Sequence, residues 1–197
     1  MGDHALGCAK HGERIARHDQ LRDVLFEPAA SASLAPLREE RHLLPGSAAR
    51  PGDVMIRRWS DGKDVAIDVT ETGPLARSYV AAAAEEAGSA LTRAFDRKVQ
   101  GTAAACHQQG LVFLPIALET PGGFHKVAVE QMKRIGAAVA RHQGSDERIA
   151  TRQLFQRLSL TLMRGNAALI LGRRPEEDFV GPQADGILKI TNSLVNN

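Results

Sequence analysis

The stretch RPGDVMIRRWSDGKDVAIDVTE, residues 50–71, holds two aliphatic runs joined by a polar turn, and each run carries an aspartate. DVMIRRW alternates in hydropathy and ends in charge, SDGKD makes a hairpin turn, and VAIDVTE returns as the neighbouring strand. Strand alternation turns Val65, Ile67 and Val69 one way, and Asp68 and Thr70 the other way beside Ala66. With the turn centred on Ser60-Asp61-Gly62-Lys63, Asp53 pairs near Val69 or Thr70. Asp53 and Asp68 then lie within several ångströms, on one sheet face if a bulge or twist intervenes. A carboxylate beside Ile67 and Val69 is costly unless paired or metal-bound. Mg²⁺ takes hard oxygen ligands, and two carboxylates completed by waters and a substrate phosphate suit it. The other reading of the same residues is that Asp53 caps a strand and Asp68 meets an arginine.

Outward from the hairpin, GERIARHDQLRDVLFEPAASASL places Ile15, Leu21 and Leu25 on a helical spacing, which predicts one or two helices over residues 13–34. LREERHLLPG reads as a short extended segment stopped by Pro45-Gly46. PLARSYVAAAAEEAGSALTRAFDRKVQGTAAA is the clearest helix, bent at Gly88-Ser89. GLVFLPIAL follows as a nearly continuous apolar strand, the pattern of an interior position in a sheet covered on both faces. Two further helices are expected over 125–142 and 147–171. The order helix, strand, strand, strand, helix, strand, helices predicts an α/β fold: a three-layer sandwich around a mixed central sheet. The expected domains are residues 1–12 as the remnant of a zinc knuckle, 13–120 as the core, 121–175 as a C-terminal helical extension and 176–197 as a tail.

A chain of 197 residues fits one domain with an extension and needs no disulfide or structural metal for its core. Aromatic residues total only 4%, so aliphatic side chains and alanine must do most of the packing. Two cysteines, Cys8 and Cys106, are too few for a secreted disulfide scaffold. Neither a long apolar run nor a signal-peptide core is present in the sequence, so a soluble intracellular protein is expected. The net charge of +2 singles out no partner, but 19 of the 25 cationic residues are arginine. Arginine suits bidentate phosphate contacts, and the same bias follows from GC-rich coding or surface solvation.

Arg50-Pro51-(Gly52)-Asp53, followed by Asp68-Val69-Thr70 with fourteen residues between the acids, resembles the PD-(D/E)xK restriction-endonuclease-like superfamily. More narrowly, the chain is similar to the endonuclease domain of early-branching, site-specific non-LTR retrotransposon proteins. GDHALGC (His4, Cys8) and Arg17-His18-Asp19 precede the acids in that family's order, LLPG, DVT and RGNAAL also look like sequences found with such domains, and the likeness spans about residues 3–170. The resemblance implies Asp53 and Asp68 as catalytic acids holding Mg²⁺ or Mn²⁺, with Glu40 as a candidate third acid. It further implies DNA contacts from Arg17 and His18, with His18 either binding a DNA phosphate or bracing the site; the other reading of His18 is a helix-surface histidine. Arg57, Arg58 and Trp59 set charge beside an aromatic, which suits DNA or guards a sheet edge.

Three departures matter. Zinc binding is not expected, because only His4 and Cys8 of a four-ligand knuckle are present; the chain resembles a piece of a larger reverse-transcriptase polyprotein. Thr70 stands where the superfamily's general motif has lysine, and Arg77 and Lys98 are the candidates to replace it. On a straight helix they lie about 30 Å apart, so both cannot reach one site. Gly52 is inserted into Pro-Asp, and Glu71 faces away from Asp68, which suggests a strand end.

Three functions stay open at this point: a metal-dependent DNA endonuclease, nuclear if eukaryotic; an inactive DNA-binding or dimerisation domain derived from one; and a purely structural α/β domain. Cutting both strands would call for a homodimer, and no membrane partner is expected.

Overall fold

A computed structural model describes residues 6, 12–44 and 50–172. In chain order these form α1 (Glu13–Ser31), β1 (Leu37–Arg38), β2 (Val54–Ser60), β3 (Lys63–Thr72), α2 (Val80–Glu85) and α3 (Ser89–Lys98). A π-helical turn (Val99–Ala103), α4 (Ala104–Gln108), β4 (Val112–Glu119), α5 (Lys126–Gln143) and α6 (Glu147–Leu171) follow. The four strands pair in the order β1-β2-β3-β4, antiparallel except for the parallel pair β3–β4. A parallel return needs a long crossover, and α2 through α4 supply it. The fold is α/β, with a mixed central sheet flanked by helices on both faces.

Alternation along β3 divides the core as its sequence predicts. Val65, Ile67 and Val69 join Leu21 and Leu25 of α1, Met132 and Ile135 of α5, and Leu158 and Leu162 of α6. Ala66 faces the opposite layer, where it meets Cys106, Leu111 and Phe113. Full burial of each large aliphatic side chain contributes about 1.5–3 kcal/mol, so the first layer is the main source of stability. It also draws α5 and α6 into the same core as the sheet. The helices expected as an extension are therefore packed as part of the central unit.

The structure corrects the sequence reading in three places. β4 is an edge strand; its unbroken apolar run reflects helices covering both its faces, with Ile116 and Leu118 buried on one side and Phe113 on the other. An edge also accommodates Pro115, which has no amide to donate. The long helix expected after β3 is broken between α2 and α3 at Gly88, whose φ of 83° is a left-handed conformation. The segment after α1 pairs only at Leu37 and Arg38, because Glu39 (φ 47°) and His42 (φ 61°) turn the chain out of the extended state.

The hairpin itself holds a bulge. Ser60 pairs with Lys63, but Ile56 pairs with Val65, so β2 spends four steps where β3 spends two. Arg58 sits at φ 50°, and its amide donates to Asp64 Oδ1 at 2.9 Å. The extra residues shift the register beyond the bulge, giving Val54 opposite Ile67. The ladder ends at that pair, and Asp53, just before it, reaches the residues on either side of Asp68, Ile67 and Val69.

Candidate functional site

Asp53 is clasped to both chain neighbours of Asp68. Its amide donates to Ile67 O at 2.7 Å, and its carboxylate Oδ2 accepts the Val69 amide at 2.6 Å. The glycine inserted before it is needed for that approach. A Cβ on Gly52 would lie 2.7 Å from Ile67 O, inside the backbone of the neighbouring strand.

Each acid is met by a cation from a different helix. His18 of α1 brings Nε2 within 3.2 Å of Asp53 Oδ1, and its Nδ1 lies 3.8 Å from Glu71 Oε1. The second distance is too long for a hydrogen bond and acts through charge. The bond to Asp53, helped by the Glu71 carboxylate, pushes the His18 imidazole up to about 10, so it is a cation at neutral pH. On the other acid, Lys98 at the end of α3 places Nζ 2.9 Å from Asp68 Oδ2 and 3.2 Å from Oδ1. The Thr70 hydroxyl donates to the same Oδ2 at 2.8 Å. Burial raises the Asp68 carboxyl above its usual range; Lys98 pulls it back, and the nearby charge of Asp53 pushes it up again.

The break at Gly88 decides between the two basic candidates. The helix does not run straight on from Arg77, which is exposed and stands outside the cluster. Lys98 instead lies back over β3. Thr70, in the position of the general motif's lysine, braces the acid that the lysine reaches from the helix.

The remaining expected residues divide differently. Arg17, a DNA contact by the resemblance, is only 3% exposed and is turned inward. Its NH1 donates to Asn166 Oδ1 at 2.7 Å, Asn166 Nδ2 donates to Thr120 O at 2.7 Å, and Arg17 NH2 lies 3.8 Å from Glu71 Oε2. A Cβ on Gly165 would fall 2.4 Å from Arg17 Cγ, so Gly165 and Asn166 of the RGNAAL stretch are a socket for this arginine. That pairing across 149 positions had no signal in the sequence beyond the unusual Gly-Asn within an apolar helix. Glu71 is not at a strand end: β3 continues to Thr72, and the Glu71 side chain is 9% exposed between Arg17 and His18.

Arg57 and Arg58 are exposed at the hairpin end of β2, about 13 Å or more along the strand from Asp53. Trp59 offers no open face beside them, because its Nε1 donates to Gln131 Oε1 at 2.9 Å and Arg134 stacks 4.7 Å over its ring. Glu40 lies beyond the end of β1 and makes no ion pair among the described residues. Its neighbour Glu39 instead pairs with Arg22 and Arg50, and the Glu39 amide donates to Asp53 O at 2.9 Å. His4 and Cys8 lie outside the described residues.

Among the described residues no group of three or more acidic, histidine or cysteine side chains could hold an ion together. The donor set is a pair of carboxylates, 18% and 15% exposed, whose mutual repulsion contributes to the raised Asp68 carboxyl. That set fits Mg²⁺ or Mn²⁺, which bind through one or two carboxylates and complete their shell with water and phosphate. Beside it, between α1, the exit of β3 and the end of α3, opens a cleft of ≈ 360 Å³. Its walls include Arg14, Arg17, His18, Arg97 and Lys98, against the single acid Glu71.

Fold and site together define an α/β domain with a two-carboxylate site, each acid braced by a cation, at the edge of a basic cleft. The sequence matches no protein-family model, and no curated protein matches it in sequence. No helix among the described residues is long and apolar enough to cross a membrane.

Proposed function

We propose that the chain is a metal-dependent DNA endonuclease domain of the restriction-endonuclease-like kind, which nicks duplex DNA by hydrolysing a phosphodiester as in target-primed retrotransposition. The observation that carries this reading is the approach of Lys98 Nζ to within 2.9 Å of Asp68, the acid whose two chain neighbours Asp53 clasps. Two acids and an ammonium converging beside a basic cleft suit phosphoryl chemistry, where positioning and charge stabilisation do most of the work. Asp53 and Asp68 would hold Mg²⁺ or Mn²⁺; when bound, the ion makes water more acidic and offsets charge on the phosphate. Lys98 places positive charge beside the reacting phosphate, His18 fixes the Asp53 carboxylate, and the Thr70 hydroxyl fixes that of Asp68.

Conversion of supercoiled plasmid to open circles with Mg²⁺ or Mn²⁺ tests the proposal. It is expected to occur with the wild type, to stop with a chelator, and to disappear in Asp53→Asn and Asp68→Asn. Nicking that survives in both variants would overturn it.

One observation favours a second reading, an inactive DNA-binding or dimerisation domain derived from such a nuclease. All four oxygens of the two acids already have internal contacts, with His18, the Val69 amide, Lys98 and Thr70. Under that reading calorimetry finds no metal binding, and the double asparagine variant keeps its salt-dependent DNA affinity.

A further inference from the structure

We propose that Glu71, an acid the nuclease reading leaves without a role, is a positioning residue: it holds the His18 ring at Nδ1 so that Nε2 fixes the Asp53 carboxylate for a divalent ion. This rests on the nuclease reading and names what keeps that reading's metal site in shape. Glu71 lies three residues past Asp68 on β3, and strand alternation turns it to the opposite face. Its route to the site is through His18.

Charges of alternating sign run from the α6 side of the core to Asp53. Arg17 is held by Asn166, to which NH1 donates at 2.7 Å, and Gly165 leaves its stem no room to spare. Arg17 NH2 lies 3.8 Å from Glu71 Oε2, and Glu71 Oε1 lies 3.8 Å from His18 Nδ1. His18 Nε2 in turn lies 3.2 Å from Asp53 Oδ1, while the Val69 amide donates to Asp53 Oδ2 at 2.6 Å. Each carboxylate thus gives one oxygen to a fixed group and turns the other to His18. Arg17 is 3% exposed and the Glu71 side chain 9%, a depth at which charges are costly unless matched. Glu71 Oε1 has no hydrogen-bond partner among the described residues. The cation that faces it is His18, just beyond the hydrogen-bond range of about 2.7–3.2 Å.

A charged imidazole carries a proton on each nitrogen, and a carboxylate at each nitrogen sets the plane of the ring. Without Glu71 the ring is free to turn about χ2, a broad torsion in histidine, and Nε2 swings away from Asp53. Groups that orient a metal's ligands in this way typically change metal affinity or activity about 10–100-fold when lost.

Calorimetric titration with Mn²⁺ tests the role, beside proton–nitrogen NMR of the imidazoles in chelator. Glu71→Gln and His18→Gln should each weaken Mn²⁺ binding about 10–100-fold, and the double variant should bind no more weakly than His18→Gln alone. Glu71→Asp keeps the charge but draws it back by one methylene, and is expected to lose as much as Glu71→Gln. Wild-type affinity in Glu71→Gln or Glu71→Asp, or losses that multiply in the double variant, would overturn the proposal. In chelator, the wild type should show a His18 Nε2–H signal protected from exchange by Asp53, and Glu71→Gln should lose it. A signal that survives in Glu71→Gln overturns the proposal and leaves the nuclease reading standing. A wild type that binds no Mn²⁺ sinks the nuclease reading instead, and the metal-free signal still decides whether Glu71 orients His18.

Discussion

Asp68 shows at the scale of one residue how the site is balanced. Burial and the charge of Asp53 both favour its protonated form, and Lys98 with Thr70 opposes them. Removing the ammonium in Lys98→Gln leaves the two raising influences in place. The carboxyl then titrates at higher pH, and the reacting phosphate loses a fixed positive charge. For the proposed endonuclease, single-turnover nicking should fall about 10²–10³-fold, the range for loss of one preorganised electrostatic group. The pH at which activity rises should move up, while DNA affinity changes little. Arg77→Ala should leave nicking unchanged, since Arg77 is exposed outside the cluster. A lysine variant as fast as wild type, or an arginine variant that is inactive, would reverse the assignment of the basic group.

Between elements, the site depends on register. The two extra residues of β2 set Val54 against Ile67, so that Asp53 reaches Ile67 and Val69 on either side of Asp68, and Gly52 lets the chain come down on Ile67 O. Gly52→Ala puts a methyl 2.7 Å from a backbone oxygen that cannot swing away. It should cost about 1–3 kcal/mol, as overpacking does. Urea denaturation measures this directly, and an unchanged midpoint would mean the strands do not approach as described. The same element scale marks what could be read in advance. The hairpin, its spaced acids, α5 and α6 were legible, because period-2 and period-3.6 patterns over many residues are strong signals. The bulge was not, since β2 offers no glycine at Arg58 to announce a positive φ. An apolar run such as β4 reports that both faces are covered and is silent on whether both edges are paired. The break at Gly88 was visible as a bend but not as a reversal, and so the reach of Lys98 stayed open.

Across the whole molecule, two helical layers meet at the site: α1 brings His18 to Asp53, and α3 brings Lys98 to Asp68. Helix α6 is joined to them through Asn166, which holds both Arg17 and the carbonyl at Thr120. Asn166→Leu would leave a buried guanidinium short of its acceptor and cost about 1.5–3 kcal/mol, the range for hydrogen bonds to charged groups. A shift of the urea midpoint reads it, and an unshifted one would sink the socket. The His18 charge gives the fold a pH dependence of definite sign. In the folded chain the imidazole keeps its proton up to about 10, whereas unfolded it releases it near its ordinary value of 6.5. Below about 6.5 both states are protonated, and the full contribution of the Asp53–His18–Glu71 contacts is present. As pH rises from there the unfolded chain binds fewer protons than the folded one, and by linkage the stability contribution declines until it is lost near 10. Thermal melts of metal-free protein should therefore show Tm falling more steeply between these limits for wild type than for His18→Gln. The two curves should converge above the upper limit. Parallel curves across the range would mean that His18 is not held as a cation between the two acids.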